Sequence, residues 1–137
     1  MGIAALILWL LTAVGGFVLL GTWITKGGGR QADSSHLPPP VIFGHFLLAV
    51  SGLVVWIIYL AVDNDALGWI AFALLIPVAL LGFVMFLRWL PTYRARATAD
   101  TPELAEGHFP VAVVAGHGLL AVTTVVLVLL TALGVGS

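Results

Sequence analysis

Four uninterrupted apolar runs, at residues 3–25, 41–62, 67–90 and 111–133, constrain this chain more than any other feature. A helix rising ~1.5 Å per residue needs about 20 residues to cross a ~30 Å hydrocarbon core, and each run is long enough. The runs are continuous rather than alternating, which argues against barrel strands. Inside lipid only a helix satisfies its own backbone polar groups within one run. The chain is 61% hydrophobic and 8% charged, a composition no ordinary soluble domain has. The first run has no basic leader and no small-residue cleavage signature, so we expect a retained helix and not a signal peptide. The expected fold is an all-α integral membrane protein with four transmembrane helices.

All four histidines fall into one motif that occurs twice, H-x-P-x5-G-H, from His36 to His45 and from His108 to His117. Both copies continue alike, as His45-Phe46-Leu47-Leu48-Ala49-Val50 and His117-Gly118-Leu119-Leu120-Ala121-Val122. The odd-numbered helices match too: Gly16-Phe17-Val18 with Gly82-Phe83-Val84, Trp23 with Trp89, Ala13 with Ala79. Chance likeness between Leu/Val-rich helices does not keep histidines, prolines, glycines and tryptophans in register. The expected organisation is therefore two tandem helix hairpins, 1–66 and 67–137, in one membrane domain. Two passes return the chain to its starting side, so the hairpins are parallel repeats about a pseudo-twofold axis along the membrane normal.

The basic residues are Lys26, Arg30, Arg88, Arg94 and Arg96, all at or near the loops joining helices one to two and three to four. The opposite side carries Asp63 and Asp65 without Lys or Arg. The positive-inside rule then puts both histidine-bearing loops in the cytoplasm and both termini outside a plasma (inner) membrane. Gly27-Gly28-Gly29 lacks the following Lys-Ser/Thr and a preceding strand, so it reads as a flexible turn and not a phosphate loop. Asp100, Glu103 and Glu106 read as a solvated acidic stretch. Thr101-Pro102-Glu103-Leu104 reads as a start signal for a short surface helix.

Pro38 and Pro110 suit the first position of helices two and four, where a missing N–H costs nothing. His36 and His108 then belong to the cap region, and His45 and His117 lie about 10 Å further in along the axis. An imidazole at that depth needs a partner and is functional by default. If helices two and four flank the axis, His45 and His117 oppose each other at equal depth, the ligand set of one low-spin b-type haem. Gly44 and Gly116 adjoin them. Ala49, Gly52, Ala121 and Thr124 leave room for a flat macrocycle or for close backbone approach. Arg88, Lys26, His36 and His108 lie toward the edge where propionates would emerge. In architecture the chain resembles the b-type membrane cytochromes, four-helix bundles with bis-histidine haem. Their two-haem versions stack same-face histidines ~14 residues apart on a helix, whereas nine residues separate the pair within each copy here. That departure from the two-haem plan leads us to expect one haem.

Two other readings compete. The four histidines could gather Zn or Cu, or the inner pair could only hydrogen-bond across helix contacts. Absent cysteine excludes thiolate centres and covalently attached haem. Trp9, Trp23, Trp69 and Trp89 read chiefly as an interfacial belt, Trp56 and Tyr59 as packing residues, and Pro77 as a kink in helix three. No nucleophile has an adjacent base, so whether the chain is itself an enzyme is left open. Five basic residues are too few for nucleic acid. The leading expectation is membrane electron transfer, with a membrane redox partner and possible homo-oligomers. The alternative is a non-catalytic accessory subunit of a larger, respiratory-type complex, or a small histidine-based metal-binding or transport protein.

Overall fold

The fold, seen in a computed structural model, describes residues 1–98 and 103–136. Four helices run in chain order: α1 (Gly2–Thr25), α2 (Pro39–Val62), α3 (Asp65–Ala95) and α4 (Val111–Ala132). All four are long and apolar enough to cross a membrane. Their outer faces expose large apolar side chains such as Leu47, Leu80, Leu87 and Leu119, an arrangement that only a bilayer makes favourable.

Local sequence sets the ends. Pro38 and Pro110 are N-caps in extended backbone, one position before the first helical turn, and Pro39 and Pro40 open α2. Asp63 closes α2 in the left-handed region, and the Asn64 side chain accepts from Ala66 N–H to start α3. That two-residue turn makes α2 and α3 an antiparallel pair. α3 runs past residue 90 to Ala95, so Arg88 and Arg94 stand on the helix rather than in a loop. It stays helical through Pro77 and Pro91.

Around the bundle the order is α1, α2, α3, α4. The tight pairs are α2 with α3 and α1 with α4; the α1–α2 and α3–α4 seams are lighter. No Cα of α2 comes within 8 Å of one of α4, nor of α1 with α3, among the described residues. The termini share one end, where Met1 N–H donates to Gly136 O. Residues 26–38, 96–98 and 103–110 share the other.

Two apolar clusters fill the interior. Toward the termini lie Ala5, Trp9, Trp56, Tyr59, Ala71, Leu75 and Val128. At the loop end lie Trp23, Leu37, Ile42 and Ala105, with Leu20, Met85 and Phe109 against them. Trp56 and Tyr59 are packing residues as expected. The aromatic belt is not: Trp9, Trp23 and Trp89 are buried, and Trp69 alone of the four is exposed. Burial wins because each indole meets a small residue or a loop acceptor. Trp9 lies where a Cβ on Gly52 would come within 3.0 Å. Its ring fills the space by Gly52 that the sequence reading left for a macrocycle.

The loops are built rather than loose. Gly28 and Gly29 lie on the face of Trp23, so close that a Cβ at Gly28 would overlap the indole. Gly27 and Gly29 have φ of 86° and 81°, which side-chain-bearing residues avoid. The glycine run is thus a fitted turn. The short helix expected from Thr101 begins outside the described residues; the second loop instead forms a 3-10 turn at Ala105–His108.

Candidate cofactor site at the histidine pair

His45 projects from α2 and His117 from α4, on helices diagonally opposed in the bundle. Their ring centroids are 6.3 Å apart with planes inclined at 59°. The Nδ1 of His45 is 2.9 Å from Val78 O on α3, and the Nδ1 of His117 is 2.8 Å from Thr12 O on α1. A carbonyl only accepts, so in each ring Nδ1 carries the proton and donates it. The neutral ring then keeps its lone pair on Nε2, the tautomer that a metal ligand needs. Neither Nε2 has a protein hydrogen-bond partner among the described residues, and neither atom is fully buried.

The repeated glycines explain how the imidazoles reach those carbonyls. Gly82 stands four residues after Val78, and Gly16 four after Thr12, one turn along the same helix face. A Cβ at Gly82 would lie 3.4 Å from His45 Cε1; one at Gly16 would lie 3.1 Å from His117 Cε1. Gly15 faces the His117 Cβ at 3.3 Å. Glycine there makes room for a ring lying flat on the neighbouring backbone. The two contacts differ enough to test. In Gly82→Ala the new methyl makes ordinary contact, and the helix-propensity gain of up to ~1 kcal/mol makes the change neutral or mildly stabilising. In Gly16→Ala the methyl pushes on an imidazole pinned to Thr12 O, and we expect a loss of about 1 kcal/mol. Thermal unfolding of the two variants in detergent checks the order; equal melting temperatures would refute it.

Gly44 and Gly116, next to the histidines, have room around them. A Cβ at Gly116 would meet nothing within 4 Å, and one at Gly44 only Leu81 Cδ1 at 3.8 Å. Nothing in the packing demands glycine at either position.

The outer histidines are not part of this pair. The loop-end apolar cluster lies between, with Ile42 on α2 and Met85 on α3 each one turn from the imidazole layer. His36 is exposed; its Nδ1 is 3.2 Å from Thr92 Oγ1 and 3.9 Å from Glu106 Oε1. His108 is half-buried, with Nδ1 at 3.2 Å from Leu104 O and Nε2 at 3.4 Å from Glu103 Oε2. Arg88 donates from Nη1 to His36 O at 3.1 Å, also on the loop side. Among the described residues no three of His, Cys, Asp or Glu gather as a metal cage. The four-histidine Zn or Cu centre considered from sequence is thus not assembled, because the cluster keeps inner and outer pairs a layer apart.

The residue that sequence reasoning missed is Glu106. Far from being solvated, its side chain is fully buried between the loops. Its Oε2 accepts from Ser35 Oγ at 2.6 Å and its Oε1 from His36 N–H at 2.7 Å. Ser35 Oγ in turn accepts from Trp23 Nε1 and Leu37 N–H, so the hydroxyl proton is committed to Glu106. Trp89 Nε1 donates to the Glu106 carbonyl, and Ala105 N–H to Ser34 O. The matched tryptophans thus both bond to the loops at Glu106, Trp89 through its backbone carbonyl and Trp23 through Ser35 to its carboxylate. A lone Glu two residues before His108 gave no periodic signal that would have revealed this.

No protein-family model, curated protein or solved structure matches this chain.

Proposed function

We propose that the chain is a membrane electron-transfer protein holding one b-type haem between His45 and His117. The observation that carries this is the opposed imidazole pair, each ring pinned through Nδ1–H so that its Nε2 lone pair is free. The two rings are close enough across the bundle for both to reach one metal ion placed between them. The separation here is 6.3 Å. A two-nitrogen protein set also suits a macrocycle that supplies the remaining ligands, and is too small for a structural zinc site. The donors therefore fit. Haem bound there would supply a one-electron couple. The protein's part is to orient the imidazoles through Val78 O and Thr12 O, strengthen them as ligands, and exclude water with the apolar clusters on either side.

The tandem-repeat reading belongs to the same proposal. The α2 histidine reaches α3 and the α4 histidine reaches α1, each at a carbonyl four residues before a matched glycine. Such an exchange between hairpins suits parallel repeats about a central axis.

A second reading has its own observation: both imidazoles already make good bonds to neighbouring helices, and as staples they need no cofactor. The absorption spectrum of protein purified from haem-replete cells separates the two. A Soret band with a sharp reduced α band, at one haem per chain, supports the first; a colourless folded preparation establishes the second.

We further propose that the loop end faces the cytoplasm, since all five basic residues lie there. Single cysteines at Ser34 and Thr98 should resist an impermeant thiol reagent in intact cells, and one at Asn64 should label. The reverse pattern overturns the orientation.

A further inference from the structure

At the loop end a cleft of about 450 Å³ opens between the first loop, the start of α2 and α3. Arg30, Arg88, His36 and Gln31 line it on the polar side, with Leu37 and Pro38 as its apolar wall. No carboxylate lines it. Glu106, the nearest acid to His36, has both oxygens taken by Ser35 and the His36 N–H. Among the described residues neither arginine has a carboxylate within 4 Å, and the bond from Arg88 to His36 O occupies only one of its five donors. The second loop offers no counterpart, since His108 there faces Glu103.

We infer that this cleft binds the phosphate of an anionic phospholipid headgroup. Two guanidiniums on one concave surface match phosphate oxygens in forked geometry, which a diffuse surface charge does not. The position favours a lipid over a soluble ion. Arg88 stands at the water-side end of α3's apolar span, and exposed Val84 and Leu87 lie within the turn below it, where acyl chains run. The site is independent of the haem reading, because the loop-end cluster separates it from His45 and His117.

The test titrates the full chain, purified in detergent, with dioleoyl phosphatidylglycerol and separately with dioleoyl phosphatidylcholine, counting bound lipid by native mass spectrometry. We expect one tight phosphatidylglycerol and no comparable phosphatidylcholine. Arg30→Gln/Arg88→Gln should weaken the phosphatidylglycerol by about fivefold for each arginine replaced. Lys26→Gln/Arg94→Gln removes the same charge at the same end outside the cleft and should leave it within twofold. Arg30→Lys/Arg88→Lys keeps the charge without the fork and should still lose affinity, which guards against a misfolded glutamine variant. Equal binding of the two lipids, or equal loss in the two glutamine pairs, overturns the proposal. So does inorganic phosphate binding as tightly as the lipid, which would make this a soluble-anion site.

Discussion

If haem is held as proposed, His45→Ala and His117→Ala should each abolish its low-spin spectrum, while His36→Ala and His108→Ala should leave it in place. The expected asymmetry follows from geometry. The inner rings are 6.3 Å apart and held by backbone carbonyls, so losing either removes half of the protein's ligand set. The outer rings sit across an apolar layer and bond to Thr92, Leu104 and Glu103 instead. On the proposed iron they would act only through charge and hydration at a distance, so their removal should move the midpoint potential without releasing haem. The same variants test the staple reading. Without a cofactor, His45→Ala costs about 1–3 kcal/mol of stability through the space it empties and the contacts it loses, and no colour changes. An outer variant that bleaches the protein while an inner one does not would defeat the assignment. Two haems per chain would defeat the single-site count.

The second large effect is expected at Glu106. Replacing it by Ala leaves the Ser35 hydroxyl and the His36 N–H without their acceptor in a part-buried position, at up to ~1–3 kcal/mol for each group left unpaired. We expect a loss of about 3 kcal/mol and a loop end newly open to protease. Glu106→Gln is close in shape and still damaging. Its amide turns a donor toward Ser35 Oγ, whose lone pairs already serve Trp23 and Leu37. Glu103 provides the control, because it is exposed and its contact with His108 is a surface pair of ~0–1 kcal/mol. Unfolding of the three variants, with limited proteolysis at the loops, decides the matter. Glu106→Gln behaving like Glu103→Gln would show that the clasp contributes nothing.

Sequence alone determined that this chain forms four membrane-length helices, because the bilayer admits only segments that satisfy their own backbone, and 20-residue apolar runs are visible without any partner. It also brought out His45 and His117, since ionisable groups at that depth are costly enough to stand out from Leu and Val. The glycines at 16 and 82 stood out in the sequence as matched positions, but what they contact did not. That depended on which helices pair, and α2 lies against α3 and α4 against α1 only in the assembled bundle. Only the tertiary structure showed that Trp9, Trp23 and Trp89 are buried, that the triple glycine is fitted to an indole, and that Glu106 is sealed between loops. In each case the deciding partner lies on another segment. Trp23 meets Ser35, Ser35 meets Glu106 across 71 residues, and no local pattern records a bond of that span. Composition and periodicity report what a residue prefers against an average environment. The buried carboxylate is tolerated because two specific donors, Ser35 Oγ and His36 N–H, arrive together, and their arrival is a property of the fold.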